Sequence, residues 1–182
     1  HVVSLPLHLE MTLAKYPDHD PSAKKKPIVV YSSRLDKEKN PFFMMEVAKK
    51  YLKEFPAAEW HVTTSGKEFK SMLPGVIDAL YKLADEMPNF KLLKNLTKQE
   101  YYKELSEAKI QFNSSLQDYV SWTVLESTAF GCDMVFPDFR SFPEFIPSDR
   151  LYTAFNVGSA VIRLHEVMTQ RQPNYNIAYL AD

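Results

Sequence analysis

From Pro27 onward the sequence alternates short apolar, β-rich runs with stretches whose apolar residues recur at helical spacing. "PIVVYSS" is continuously apolar before its serines, as expected of a strand buried on both faces. Asn40-Pro41 reads as N-cap and first helical residue, and Met44, Val47, Ala48, Tyr51, Leu52 and Phe55 follow on one face, ending near Pro56. "EWHVTTS" is the next strand. After Pro74, Val76, Ile77, Leu80, Leu83, Ala84 and Met87 form one helical stripe. "FKLLKN" is a short strand, and Thr97 with Glu100 makes a capping box for a helix running through Glu107. "AKIQFNS" is a strand, "SWTVLESTAF" a helix stopped by Gly131, and "CDMVFPD" and "LYTAF" are further strands. Asn156 starts a last helix carrying Val161, Leu164 and Met168.

Strands alternating with helices of this length predict an α/β domain, a doubly wound parallel sheet covered on both sides. One domain is expected over 1–182: an edge strand and exposed loop at 1–26, an α/β core at 27–170 and a tail at 171–182. Such sheets take ligands beyond the carboxyl ends of their strands. The informative loops are therefore Ser32–Asn40, Thr64–Lys67, Lys94–Thr97 and Asn113–Ser121. The chain has four glycines, no G-x-G-x-x-G after the first strand and no G-x-x-x-x-G-K-[ST], which excludes the common dinucleotide and P-loop sites.

Composition narrows the classes further. A net charge of −1 gives no global field toward nucleic acid or anionic lipid, and no apolar run approaches a membrane span. The dense basic cluster Lys24-Lys25-Lys26 is expected to be a solvated loop. A single cysteine, Cys132, allows no internal disulfide and fits a reducing compartment, so a cytoplasmic location is expected. The five histidines are scattered without metal-ligand spacing, and His61, on an apparent strand, is expected to be structural.

Two loops carry chemistry. In "SSRLDKEKNP", Arg34 follows the strand and Lys39 closes the loop; a planar fork and a compact charge suit the oxygens of a diphosphate. On spacing alone, a charged turn in which Asp36 and Glu38 pair locally is the plainer reading. In "NSSLQDYVSW", Ser121 is placed to cap the next helix, leaving N–H groups around Trp122, Thr123 and Val124 at its positive end, a seat for phosphate. Glu126 lies about one turn further in, where a carboxylate can accept from a ribose, and Asp118 sits in the loop. On spacing alone, a solvent-facing Asp and a helix-favouring Glu explain both.

Together, "YSSRLDKEKNP", "DYVSWTVLESTAFGCDMVFPD" and "SFPEFI" resemble the nucleotide-sugar-binding half of retaining two-domain (GT-B) glycosyltransferases, the glycogen-synthase-like and sucrose-synthase-like group. The first segment of that family reads G-R-L-x-x-x-K-G/N; Arg34, Leu35, Lys39 and Asn40 match, with Ser33 at the glycine. The second reads E-G-F-G-x-x-x-L-E-A-M-A-x-G-x-P-V-V. Asp118 and Glu126 stand at the two glutamates with seven residues between them, and Leu125, Ala129, Gly131 and Val135 are in register. Pro143-Glu144 matches the closing P-E. The sequence departs at Tyr119 and Ser121, which replace both glycines, at Asp118, one methylene short of glutamate, and at Asp133, where proline is frequent.

The resemblance implies a Rossmann-like donor domain, the C-terminal half of a GT-B enzyme that transfers a hexose from a UDP-, GDP- or ADP-sugar. Arg34, Lys39, Asp118 and Glu126 would be its catalytic set: the first two on the diphosphate, Asp118 on the sugar and Glu126 on the ribose. Ser33, Tyr119, Ser121 and Val124 would line the donor, N–H groups near Trp122 and Thr123 would cradle phosphate, and Asn95 and Leu96 would lie near the base. No metal and no cofactor are expected, since no Asp-x-Asp lies near these loops. The acceptor site and a catalytic His would come from a separate N-terminal domain. The abrupt start at His1 and the polar tail are accordingly expected to be cut edges, and this chain alone to bind donor without turnover. A degenerate nucleotide-sugar-binding module and a nucleotide-sugar epimerase are the alternatives.

Overall fold

The computed structural model describes residues 24–117 and 122–170, with Ala14 and Tyr16 ahead of them. Its strands are β1 (Lys26–Tyr31), β2 (Glu59–Thr63), β3 (Phe90–Leu93), β4 (Ala108–Phe112), β5 (Asp133–Asp138) and β6 (Leu151–Thr153). They form one six-stranded sheet in the order β3-β2-β1-β4-β5-β6. Every pairing is parallel, with Val29 opposite both Trp60 and Ile110 at the centre. The helices are α1 (Pro41–Glu54), α2 (Val76–Glu86), α3 (Lys98–Glu107), α4 (Trp122–Ala129), α5 (Phe142–Phe145) and α6 (Val157–Thr169). This is the expected doubly wound, Rossmann-like α/β architecture.

The apolar run of β1 fills both faces because successive side chains alternate. Val29 and Tyr31 enter the core under α1, α2 and α6, while Ile28 and Val30 enter the one under α3 and the end of α4. The expected stripes supply these cores: Met44, Val47, Ala48, Tyr51 and Leu52 from α1, Val76, Leu80 and Leu83 from α2. In α6 the fully buried residues are Ala160, Leu164 and Val167, with Val161 close to it; Met168 is only half-buried. A third cluster joins Val124 of α4 to Met134, Phe136 and Phe142.

Helix boundaries follow local chemistry. Thr97 and Glu100 form the expected capping box. Gly131, at φ 63°, stops α4, with Cys132 N–H donating to Ser127 O (2.8 Å) and Gly131 N–H to Thr128 O (3.1 Å). Asn40 is the expected N-cap with Pro41 first in α1, but it takes the left-handed conformation (φ 50°, ψ 56°) and makes no side-chain cap bond. It links a 3-10 turn (Lys37–Lys39) to α1, and asparagine is suited to that conformation itself. The four-residue α5 has no periodicity to read in the sequence.

The basic cluster is not a solvated loop. Lys26 begins β1 and pairs with Glu107, while Lys25 donates to Ser106 O (2.5 Å) and Phe130 O (2.7 Å), carbonyls at the ends of α3 and α4. A cation suits both negative helix ends. The expected edge strand at 1–26 and tail at 171–182 lie almost wholly outside the described residues.

Candidate functional site at the carboxyl edge of the sheet

The strand order reverses between β1 and β4, so their following loops part and leave a crevice at the carboxyl edge. All non-glycine residues with positive φ among those described are in loops leaving this edge: Asn40, Asn95, Arg140 and Phe155, at 50° to 61°. Backbone strain of this kind concentrates where a loop shape is needed.

The β1 and β4 loops are stitched together. Ser114 Oγ and Tyr31 Oη donate to Lys39 O (2.7 and 3.1 Å), Leu116 N–H to Glu38 O (2.7 Å), and Lys39 Nζ to Ser115 Oγ (3.1 Å). Lys39 is thereby held at the crevice between the two loops. Arg34 is not turned into it: its guanidinium bonds Asp36 (3.2 Å) and Glu38 (2.7 Å), with the side chain 71% exposed. The local pairing favoured by spacing alone is what the structure holds. Ser33 is half-buried beside it.

A cleft of about 320 Å³ opens on the β1–β2 side of the crevice. Ser32, Thr63, Thr64 and Ser65 line it from the ends of β1 and β2; Leu96, Thr97, Lys98 and Tyr101 from the entry to α3; and Thr123 and Glu126 from α4. Its shape is fixed by backbone bonds between loops: Thr64 N–H to Leu93 O (2.9 Å), Leu96 N–H to Thr64 O (3.1 Å) and Asn95 N–H to Gly66 O (2.8 Å).

The polar groups form a connected set. Gln111 Nε2 donates to Ser32 Oγ (2.9 Å), which lies 3.1 Å from Tyr101 Oη. Burial pushes the Tyr101 phenol up, and the Glu126 charge adds to this, so the hydroxyl stays protonated at neutral pH. Glu126 pairs with Lys98. Burial alone would lower the Lys98 ammonium, but the hydrogen bond and charge of Glu126 outweigh it and raise it. The cleft thus offers one carboxylate, one ammonium and several hydroxyls, a lining suited to a polyhydroxylated, hydrogen-bonding ligand.

The expected site residues therefore divide. Glu126, Thr123 and Leu96 meet in the cleft, and Lys39 stands at the adjoining crevice. Asn95 is exposed at its lip in the left-handed conformation (φ 58°). Trp122 is 65% exposed at the start of α4. Val124 is buried against β5, so its side chain belongs to the core and the expectation for it rests on its backbone N–H. Asp118, Tyr119 and Ser121 lie outside the described residues. Lys98, Tyr101, Ser32 and Thr63–Ser65 were given no ligand role, although Ser32, Thr64 and Ser65 lie in loops read as informative. The hydroxyl-rich ends of "VVYSS" and "HVTTS", where apolar strands turn polar at the ligand edge, were the signal for the last two groups.

Elsewhere, His61 is structural as expected, bound between Glu59 and Glu104. Cys132 is buried and its thiol pushed up by burial. Among the described residues no group of three or more His, Cys, Asp or Glu is placed to hold a metal, and no helix is long and apolar enough to cross a membrane.

No protein-family model matches the sequence, and no curated protein matches it significantly. Solved structures do. A mutant of S. aureus TarM, crystallised with Fondaparinux, alpha-GlcNAc-glycerol and UDP, superposes with a TM-score of 0.69 at 18% identity, over 84% of this chain and 31% of that one. A UDP-forming trehalose-phosphate synthase from Burkholderia xenovorans gives 0.68 at 10% identity, over 89% and 42%. The pneumococcal O-GlcNAc transferase GtfA, in complex with UDP and GlcNAc, gives 0.68 at 14%, over 90% and 33%. These are GT-B glycosyltransferases, and the chain has the fold of a Rossmann-like part of such proteins. It spans about a third to two fifths of their length.

Proposed function

We propose that this chain binds a nucleotide-sugar donor along the carboxyl edge of its sheet, as the donor-binding domain of a glycosyltransferase that moves a hexose to an acceptor. The observation that carries this reading is Glu126: a carboxylate on the second turn of α4, set back in a hydroxyl-lined cleft beside the point where strand order reverses. There it can accept from both hydroxyls of a ribose, while Leu96 and the backbone of the Thr64–Leu96 staple flank a base. Toward the crevice, Lys39 and the first turn of α4 meet the diphosphate. Asp118 acts on the sugar.

In transfer, the bond from the sugar's anomeric carbon to the diphosphate oxygen breaks, the acceptor oxygen bonds that carbon, and the acceptor hydroxyl's proton passes to the departing phosphate oxygen. The departing nucleotide gains negative charge, which Lys39 offsets; Arg34 joins it by exchanging Asp36 and Glu38 for phosphate oxygens. Retention of configuration follows from the sequence resemblance, as does an acceptor site in a separate domain. Binding is proposed to need no divalent cation, because Lys39 and the first turn of α4 can meet the diphosphate charge and none of the motif segments contains an Asp-x-Asp.

One observation favours the degenerate-module alternative, namely that Arg34 is already held by two local carboxylates. A thermal-shift panel of UDP-, GDP- and ADP-sugars tests the main reading: one nucleotide class should raise the melting midpoint by mass action, with or without EDTA. No shift with any of them would overturn it. Slow donor hydrolysis by the protein with its remaining domains restored then separates enzyme from module.

A further inference from the structure

Lys98 occupies the first position of α3, the positive end of a helix dipole, where a cation is electrostatically disfavoured. Nothing in the capping box calls for it, since Thr97 and Glu100 satisfy one another there. Its ammonium instead pairs with Glu126, a residue of α4. The same ammonium lies over the Tyr101 and Tyr102 rings, with Nζ 5.2 and 4.9 Å from their centroids. Both charges line the cleft, the Glu126 side chain 15% exposed and that of Lys98 61%. The carboxylate is recessed and the ammonium forms the mouth.

We propose, resting on the nucleotide-site reading above, that Lys98 is a positioning residue that lets one cleft hold both an ionised carboxylate and a ligand diphosphate. A ribose-binding carboxylate accepts strongly only when charged, yet that charge repels a diphosphate tethered to the same ribose. Lys98 resolves the conflict by holding Glu126 Oε1, leaving Oε2 for ribose hydroxyls, and by cancelling the carboxylate's charge as seen from the crevice. A compact ammonium does this with one oxygen, whereas a guanidinium fork would take both. The position also explains a local choice that α3 alone disfavours.

The test is a binding series by calorimetry on the full chain, using whichever of UDP, GDP or ADP the wild type binds, with its monophosphate and nucleoside. Lys98→Met should weaken the diphosphate by about fivefold, the monophosphate less and the nucleoside least, because compensation scales with ligand charge. In a Glu126→Gln background, the same Lys98→Met change should cost the diphosphate at most about half that factor, since the charge to be cancelled is gone. Equal losses for nucleoside and diphosphate would make Lys98 merely structural and overturn the proposal. The same loss in both backgrounds would mean direct phosphate attraction independent of Glu126 and overturn it as well. A wild type that binds none of the three diphosphates would remove the nucleotide site itself, and the role of Lys98 with it.

Discussion

Arg150 and Asp133 form an ion pair that is wholly inside the protein: Nε lies 2.8 Å from Oδ1, and the side chains are 1% and 0% exposed. Asp133 opens β5, and its Oδ1 also accepts from the Met134 N–H (2.8 Å). Arg150 ends the 3-10 turn before β6 and reaches Asp149 with Nη1 (2.8 Å). The aspartate that departs from the resembled family's proline is thus one half of a buried pair tying β5 to the entry of β6.

Removing one partner leaves a charge uncompensated in the interior. Arg150→Met should therefore destabilise by about 3–5 kcal/mol, read as a lower urea midpoint. Asp133→Val combined with Arg150→Met should recover much of that loss. If Arg150→Met alone were within experimental error of the wild type, the pair would not be buried as described.

His61 gives stability a sign on the pH axis. Its Nδ1 meets Glu104 and its Nε2 lies 2.8 Å from Glu59, which is also held by Lys91 at 2.7 Å. Burial of the ring works to lower its pKa, but the hydrogen bonds and charges of Glu104 and Glu59 prevail and raise it. A raised folded pKa stabilises fully below the unfolded value of about 6.5, and the contribution is lost as pH rises through the folded pKa. The melting midpoint should fall over that window, and His61→Gln should flatten the fall. A midpoint that instead rises from pH 6 upward only when His61 is present would contradict the assignment.

The strands and every helix but the short α5 were legible because each apolar run has one period. Val29 and Val30 can face opposite cores only in a strand, and the α1 stripe fits only a helix. Asn40 was placed correctly but for the wrong reason, since the sequence does not say whether an asparagine caps with its side chain or turns with its backbone. Glu126 is singled out by the resemblance alone, since by spacing it reads as an ordinary helix-favouring glutamate. Lys98 is not, because its partner is 28 residues away on another helix and locally it is one more lysine in "LTKQE". Arg34 was legible in both directions, and its two nearby acids decided the outcome.

That competition can be measured. Arg34→Ala removes exposed ion pairs, so folding stability should change by less than about 1 kcal/mol. If the guanidinium moves onto the ligand, the same change should weaken nucleoside-diphosphate binding by about 1.5–3 kcal/mol and leave the nucleoside nearly unaffected. Glu38→Gln should act the other way, releasing Arg34 from its 2.7 Å partner and tightening the diphosphate about two- to threefold. Weaker binding in Glu38→Gln would mean that Arg34 must stay fixed on the loop and never reaches phosphate.

Glu126 itself is tested best by deleting the groups it would bind. A carboxylate accepting from ribose hydroxyls contributes about 1.5–3 kcal/mol, so Glu126→Ala should weaken UDP, or whichever diphosphate binds, by about 10- to 150-fold. The fold should survive the change, because its partner Lys98 is 61% exposed and regains water. The 2′,3′-dideoxy form of the nucleotide should bind the wild type about as weakly as the intact nucleotide binds Glu126→Ala. In the variant, removing the hydroxyls should then cost little more, because the group that read them is gone. An undiminished preference for the intact ribose in Glu126→Ala would place the sugar elsewhere and leave Glu126 as the counter-ion of Lys98 alone.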